Sequence, residues 1–149
     1  MDLITAFLAH HTDTEDSVPP KSRHHALMAG IHSFFERNLA DPQLSPATVA
    51  ASHHISVRYL HKLFQPQGIA VSAWIRLRRL EHCRRDLTDA QLSDKPIGFL
   101  SARWGFVHAS EFTRVFRREY GIPPSAYRQE ALHSQQCTDR QLRLGEQAI

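Results

Sequence analysis

Two stretches of the sequence repeat each other: VAASHHI at residues 49–55 and LSARWGF at residues 100–106. In each stretch a small residue stands four positions before a turn position, and an apolar residue follows the turn. The second turn position is Gly105, which suits a turn that requires positive φ, whereas the first is His54, a poorer choice. A small residue lets two helices cross closely, so the pattern is typical of a helix-turn-helix unit. The sequence therefore predicts two such units in tandem.

The similarity continues beyond the turns, with shifts of one residue that loops tolerate. Both second helices carry apolar residues at matching positions, and a glycine follows each helix. The corresponding pairs are Leu60 and Phe112, Phe64 and Phe116, and Gly68 and Gly121.

Helical periodicity extends from Pro46, which follows the N-cap candidate Ser45, to about residue 130. No stretch of the sequence alternates as a strand does. The predicted helices cover residues 23–39, 46–53, 56–65, 72–88, 96–103, 108–120 and 124–131. The expected fold is all-α, a homeodomain-like tandem of about seven helices in which a long central helix joins two helix-turn-helix subdomains. That central helix would span roughly 25 Å, enough to hold the two units about one turn of DNA apart.

The second helix of each unit carries one polar face, with residues at positions i, i+3, i+4 and i+7. Arg and Lys can donate to guanine O6 and N7, and hydroxyl or imidazole groups suit several base edges. Two faces in matching register favour DNA contact over the alternative, the solvated side of an ordinary amphipathic helix. The candidate DNA-binding residues are Arg58, His61, Lys62 and Gln65 in the first unit, and Ser110, Thr113, Arg114 and Arg117 in the second.

The basic charge is concentrated in the segment that holds the repeat. Residues 47–130 contain thirteen Lys and Arg against seven Asp and Glu, whereas residues 1–46 contain three against six. A basic segment of this kind is expected of a protein that binds a polyanion such as double-stranded DNA. The outer arginines of the central helix have two open interpretations, phosphate contact or solubility; they are Arg76, Arg79, Arg84 and Arg85.

Other classes of protein have little support in the sequence. Cys83 and Cys137 form no C-x-x-C pair, and Cys83 falls at a position suited to the core. The histidines include adjacent pairs rather than i, i+4 ligands, and no HExxH motif occurs, so no catalytic residue, metal site or cofactor is expected. An apolar run long enough for a membrane span and a signal peptide are both lacking, which predicts a cytoplasmic protein. The predicted DNA binding would associate it with the nucleoid.

The segments that flank the repeat have a different composition. Residues 3–11 favour a short helix, and an acidic, proline-containing linker extends from there to residue 22. Residues 23–131 are expected to form the DNA-binding domain. The polar residues 132–149 predict a flexible tail.

The second unit resembles the C-terminal DNA-binding domain of AraC/XylS-type bacterial transcription regulators. It is similar to the pattern I-x-x-[IL]-A-x-x-x-G-F, followed by F-x-R-x-F and by a G-x-x-P stretch that ends in Y-R. The matching residues are Ile97, Leu100, Gly105, Phe106, Phe112, Arg114, Phe116, Gly121, Pro124, Tyr127 and Arg128. His54 and Ser101 depart from the family pattern, in which glycine-like and alanine residues are usual at those positions.

The resemblance implies a domain that binds asymmetric DNA sites through two major-groove helices and, in many members, contacts RNA polymerase. By position it also makes Glu111 a base-facing residue, although a role as a helix N-terminal cap partner is favoured here. Arg128 is expected to be structural, near the C-terminus of the preceding helix. A domain that kept this fold and turned to protein interaction is the rival hypothesis, and the two polar faces argue against it.

Full-length members of the family usually carry an N-terminal sensing domain, and residues 1–22 resemble the trailing part of one. A fragment, a truncated reading frame and a stand-alone regulator all remain open from the sequence. A small-molecule effector is expected only if a sensing domain is missing from this chain.

Overall fold

The computed structural model describes residues 20–146, and every regular element in that range is helical. Short 3-10 turns at Gln65–Gln67 and Ala90–Leu92 follow the third and fourth helices. The predicted all-α architecture is therefore confirmed. The seven α-helices of this range are α1 (Pro20–Asn38), α2 (Pro46–Ser52), α3 (Val57–Phe64), α4 (Val71–Thr88), α5 (Ile97–Arg103), α6 (Ala109–Tyr120) and α7 (Pro124–Glu146).

Serine caps determine where the helices of the first unit begin. The Ser45 hydroxyl accepts a hydrogen bond from the Thr48 amide at 3.3 Å, and the Thr48 hydroxyl accepts one from the Ser45 amide at 3.0 Å. This reciprocal pair is a capping box, and Pro46 follows at the first helical position, where its missing N–H costs nothing. The Ser56 hydroxyl caps α3 by a single bond, accepting from the Tyr59 amide at 3.0 Å.

Two hydrophobic cores form, one in each unit, and α4 contributes to both. Val71 and Ile75 of α4 belong to the first core, whereas Leu80, Cys83 and Leu87 belong to the second. The helix therefore joins the two subdomains as predicted. The other buried members of the first core are Ile31, Phe35, Leu39, Leu44, Val49, Ala50, Leu60, Leu63 and Phe64, and those of the second are Leu100, Phe106, Phe112, Val115 and Phe116.

Cys83 lies in the second core, as its position in the helical pattern predicted. Its side chain is buried, and burial raises the pKa of the thiol to about 12. The thiol therefore acts as a small apolar group rather than a nucleophile or a metal ligand.

The two ends of the helical region differ from the prediction. Helix α1 begins at Pro20 rather than Arg23, because proline is well suited to the first turn of a helix. Helix α7 continues to Glu146, so its predicted end at residue 131 is wrong. After Pro124 no proline and, until Gly145, no glycine interrupts it, and the Gln135 side chain donates to the Thr88 carbonyl of α4 at 2.8 Å.

The short N-terminal helix, the linker and the flexible tail remain predictions. The short helix at residues 3–11 and most of the linker lie outside the described residues. The flexibility of residues 132–149 stays a prediction. Of the helices described between residues 20 and 146, none is long and apolar enough to cross a membrane.

Candidate nucleic-acid interface

The turns of the two units have the same backbone conformation. His54 has a φ of 54° and Gly105 a φ of 84°, so both lie in the left-handed region, as the repeat predicted. In each unit the apolar residue after the turn donates a hydrogen bond back to the small residue of the preceding helix. These bonds join the Ile55 amide to the Ala50 carbonyl at 3.0 Å, and the Phe106 amide to the Ser101 carbonyl at 3.1 Å.

Helix α3 buries one side and exposes the other. Leu60, Leu63 and Phe64 are buried in the first core. The four candidates of this unit are all exposed, and they lie together on one open surface of the helix. Gln65 lies one residue beyond the helix, in the 3-10 turn, and still belongs to that surface; the other three candidates are Arg58, His61 and Lys62.

Val57 and Tyr59 also lie on this surface, and they were not among the candidates predicted from the sequence. Val57 is 39% exposed and Tyr59 is 41% exposed, beside the polar candidates at the start of α3. Apolar residues near a helix start are normally assigned to a core, so only their position on the outward side could have indicated them. At this surface they offer apolar contact, which suits the methyl group of thymine.

Helix α6 is arranged similarly. Its buried residues are Phe112, Val115 and Phe116, and the four candidates of the second unit, Ser110, Thr113, Arg114 and Arg117, are exposed. Ala109 follows the same helical spacing as Phe112 and Phe116, but it is exposed, because the core is reached only from Phe112 onward. The Thr113 hydroxyl donates to the Ala109 carbonyl at 3.0 Å, which leaves its oxygen lone pairs as acceptors.

The starts of α3 and α6 differ. His108 is the N-cap residue of α6 and makes no side-chain capping hydrogen bond. Glu111 lies exposed in the first turn, where its negative charge favours the helix N-terminus. The capping that was favoured for Glu111 is therefore limited to this electrostatic effect, since no capping box forms around His108.

Arg128 is structural, but at a different place from the one expected. Its guanidinium donates to the Lys95 carbonyl at 2.7 Å and to the Ser93 carbonyl at 3.4 Å. Arg128 therefore ties α7 to the loop before α5, and not to the C-terminus of α6. Burial lowers its pKa below the usual value, in keeping with this structural position.

Phosphate contact and solubility were the two interpretations left open for the arginines of α4, and Arg79 fits neither. It is half-buried, and its guanidinium donates to the Leu39 carbonyl at 2.9 Å and to the Asp41 carbonyl at 2.5 Å. Burial lowers its pKa, an effect that the nearby Asp41 charge only partly opposes. By contrast Arg76, Arg84 and Arg85 are exposed, and the Arg84 guanidinium lies 5.6 Å from the centre of the Tyr120 ring.

Residues 49–130 match the family model of a helix-turn-helix domain, a range that contains both turns and α4. The multiple antibiotic resistance protein MarA of Salmonella typhimurium is 30% identical over 109 residues, which cover 70% of this chain and 83% of MarA. The chain belongs to the AraC/XylS family.

Two further proteins are similar to this chain: a much longer transcriptional activator and a solved DNA-binding domain. The transcriptional activator NphR of a Rhodococcus species is 36% identical over 100 residues, which cover 67% of this chain but only 29% of NphR. The chain thus spans less than a third of that relative. The DNA-binding domain of AdpA, a global transcriptional factor solved in complex with a target DNA, is 26% identical with a TM-score of 0.61, covering 68% of this chain and 89% of that domain. Family and fold are those of DNA-binding transcription regulators.

Proposed function

We propose that this chain regulates transcription by placing α3 and α6 in two successive major grooves of double-stranded DNA. One observation carries the proposal: the second helix of each unit exposes a polar face at corresponding positions while its other side is buried in a core. Matching faces on two helices joined by α4 suit two half-sites about one turn of DNA apart, roughly 34 Å. We call α3 and α6 the recognition helices.

The chemistry of each face supports contact with base edges. Arg114 can donate two hydrogen bonds to guanine O6 and N7, and Lys62 can donate to the same pair of atoms as a single charge. Gln65 suits adenine, to which an amide side chain can both donate and accept. Thr113, whose proton is directed to its own helix, offers an acceptor to a base amino group.

RNA polymerase is the second partner in the proposal. NphR and RhrA, the latter from Rhizobium meliloti, are both named transcriptional activators. An activator of initiation that works at a promoter acts at the nucleoid. A small-molecule effector enters the proposal only for a protein in which a sensing domain joins this chain. In vitro transcription from a template that carries the bound site, with and without this chain, tests the polymerase contact.

The DNA contact is tested by selecting bound sites from random DNA and then measuring affinity by gel shift. Arg114→Ala is expected to weaken binding to the selected site by about 1–3 kcal/mol, or about 5- to 150-fold, and to relax specificity at one base step. Arg140→Ala removes the same charge from the exposed part of α7 and is expected to change affinity less than twofold.

Three outcomes count against parts of the proposal. Equal loss on every DNA sequence would make Arg114 a phosphate contact rather than a base contact. A binder of six to ten phosphates should lose about 10³- to 10⁵-fold in affinity between 50 and 200 mM salt, so a flat salt dependence contradicts groove binding. Negligible affinity for all DNA at low salt would overturn the proposal and favour the protein-interaction hypothesis.

A further inference from the structure

Arg79 connects α4 to the first unit at a loop, not at a helix. Its guanidinium donates to the carbonyls of Leu39 and Asp41, which lie in the segment between α1 and α2. Two hydrogen bonds from one planar group to two backbone carbonyls fix the loop in position and direction, because both bonds must be satisfied at once. The first unit is thereby held to α4 by polar contacts in addition to its core.

The same guanidinium lies against the turn of the second unit. A Cβ atom built on Gly105 would lie 2.9 Å from the Arg79 Cζ and 3.0 Å from two of its nitrogens. Real Cβ atoms essentially never approach that closely, so only a glycine allows the contact. Gly105 is the turn residue that directs the chain toward α6. Arg79 therefore touches the loop of one unit and the turn of the other.

A second link between the units runs one turn of α4 further along. The Glu36 carboxylate of α1 lies 3.4 Å from the His82 imidazole, which stacks on the Trp104 ring with 4.2 Å between ring centres. Trp104 donates from its indole nitrogen to Asp86 at 2.7 Å and packs against both hydrophobic cores. This link supports the same relative placement of the two units, so Arg79 does not act alone.

We propose that Arg79 is a positioning residue that fixes α6 relative to α3 and so determines which separation of half-sites the chain accepts. The inference rests on the proposed function, because spacing matters only if both recognition helices contact DNA. Inserting one base pair moves a half-site by about 3.4 Å and rotates it by about 34° around the DNA axis. A protein whose two units are held rigidly cannot follow that displacement. Without the Arg79 contacts the units keep α4, the cores and the Glu36–His82–Trp104 link, and they can adjust more than the natural chain does.

An arginine suits this task better than an apolar residue would. An apolar side chain could fill the same space, but it would remove the hydrogen bond to the Leu39 carbonyl and leave the Asp41 carbonyl with only its bond from the Leu44 amide. Polar contacts of this kind specify one arrangement, since a shift in angle breaks them, while apolar contacts tolerate sliding.

The test measures affinity for the selected site and for the same site with one base pair inserted between the half-sites. The natural chain is expected to lose at least about 5- to 150-fold on the lengthened site, because this is the range for a single base contact and a displaced half-site loses at least one. Arg79→Ala, which leaves the Glu36–His82–Trp104 link in place, is expected to reduce this penalty by at least about threefold, with unchanged base preference inside each half-site. Arg85→Ala, which removes the same charge from an exposed position of α4, should keep the full penalty.

Arg79→Lys keeps the charge and the alkyl stem, so it guards against loss of folding in the alanine variant. Circular dichroism and thermal melting show which variants fold, and Arg79→Lys is expected to fold and to relax the spacing penalty, because one ammonium cannot replace the two-carbonyl contact. The inference is overturned if a folded Arg79 variant keeps the full penalty while Arg114→Ala still weakens binding. If Arg114→Ala has no effect on the selected site, the proposed function itself has failed.

Discussion

The two helix-turn-helix units share one fold but secure it by different local means. In the first unit Ser45 and Ser56 cap both helices through their side chains, but the turn residue, His54, carries a Cβ in the left-handed region. In the second unit the turn residue is glycine, while the N-cap residues Pro96 and His108 provide no side-chain cap. The first unit therefore has the better helix caps, and the second unit has the better turn residue.

The difference extends to the contacts around each turn. His54 is exposed, whereas Gly105 is buried against the Arg79 guanidinium. Trp104, the residue before that glycine, packs against both cores. The turn of the second unit thus depends on a contact with α4, whereas the His54 side chain at the turn of the first unit faces solvent. Substitutions in the second turn are expected to affect both units, whereas substitutions in the first turn are expected to affect the first unit alone.

The largest effect is expected for Gly105→Ala, which should lower the free energy of unfolding by about 2–3 kcal/mol. The left-handed φ accounts for about 1–2 kcal/mol of this cost. The rest comes from displacing the Arg79 guanidinium from its two carbonyl partners. Urea denaturation followed by circular dichroism measures the change.

Gly121→Ala is the matched control for this prediction. Gly121 has a similar φ, 82°, but a Cβ there would meet nothing within 4 Å. Its alanine variant is therefore expected to lose only the conformational part, about 1–2 kcal/mol. Equal losses at the two glycines would contradict the contact between Arg79 and the second turn, and so would an unchanged loss for Gly105→Ala in an Arg79→Ala background.

The internal repeat made the helices, turns and exposed faces of the two units predictable from the sequence. Helical spacing and the N-cap signal at Ser45 placed the helices between residues 46 and 120 to within about one residue. The register of the repeat identified the two turn residues and the exposed faces of α3 and α6. These features are local, because they depend on periods of three to seven residues and on single capping or turn positions.

What the sequence could not show depends on contacts between distant residues. Arg79 stands in a run of arginines that looks solvent-exposed, yet its partners lie 40 and 38 positions earlier in the chain. Arg128 likewise binds carbonyls more than thirty positions away. The spacing of apolar residues along the sequence does not indicate which distant residues form such hydrogen bonds. The base contacts of the two faces stay a prediction for the same reason, since they depend on a partner outside the chain.

A smaller effect is expected at the start of α3. Ser56→Ala removes the side-chain oxygen that accepts from the Tyr59 amide and should lower the free energy of unfolding by about 1 kcal/mol. His108→Ala, at the equivalent position of α6, removes no capping bond and is expected to cost less than about 0.5 kcal/mol. The two variants are compared by urea denaturation under identical conditions. A loss at His108 as large as that at Ser56 would show that the units do not differ in capping.

The smallest effect, and the only gain, is expected for His54→Gly. Glycine removes the strain of a Cβ at a φ of 54°, about 1–2 kcal/mol, but it also makes the unfolded chain more flexible, which offsets about 0.5–1 kcal/mol. The net increase in the free energy of unfolding should be about 0.5–1 kcal/mol. His54→Ala keeps the Cβ and removes only the exposed imidazole, so it should bring no gain. If both variants stabilise the protein equally, the imidazole rather than the backbone is unfavourable, and the two turns differ in side-chain surroundings rather than in strain.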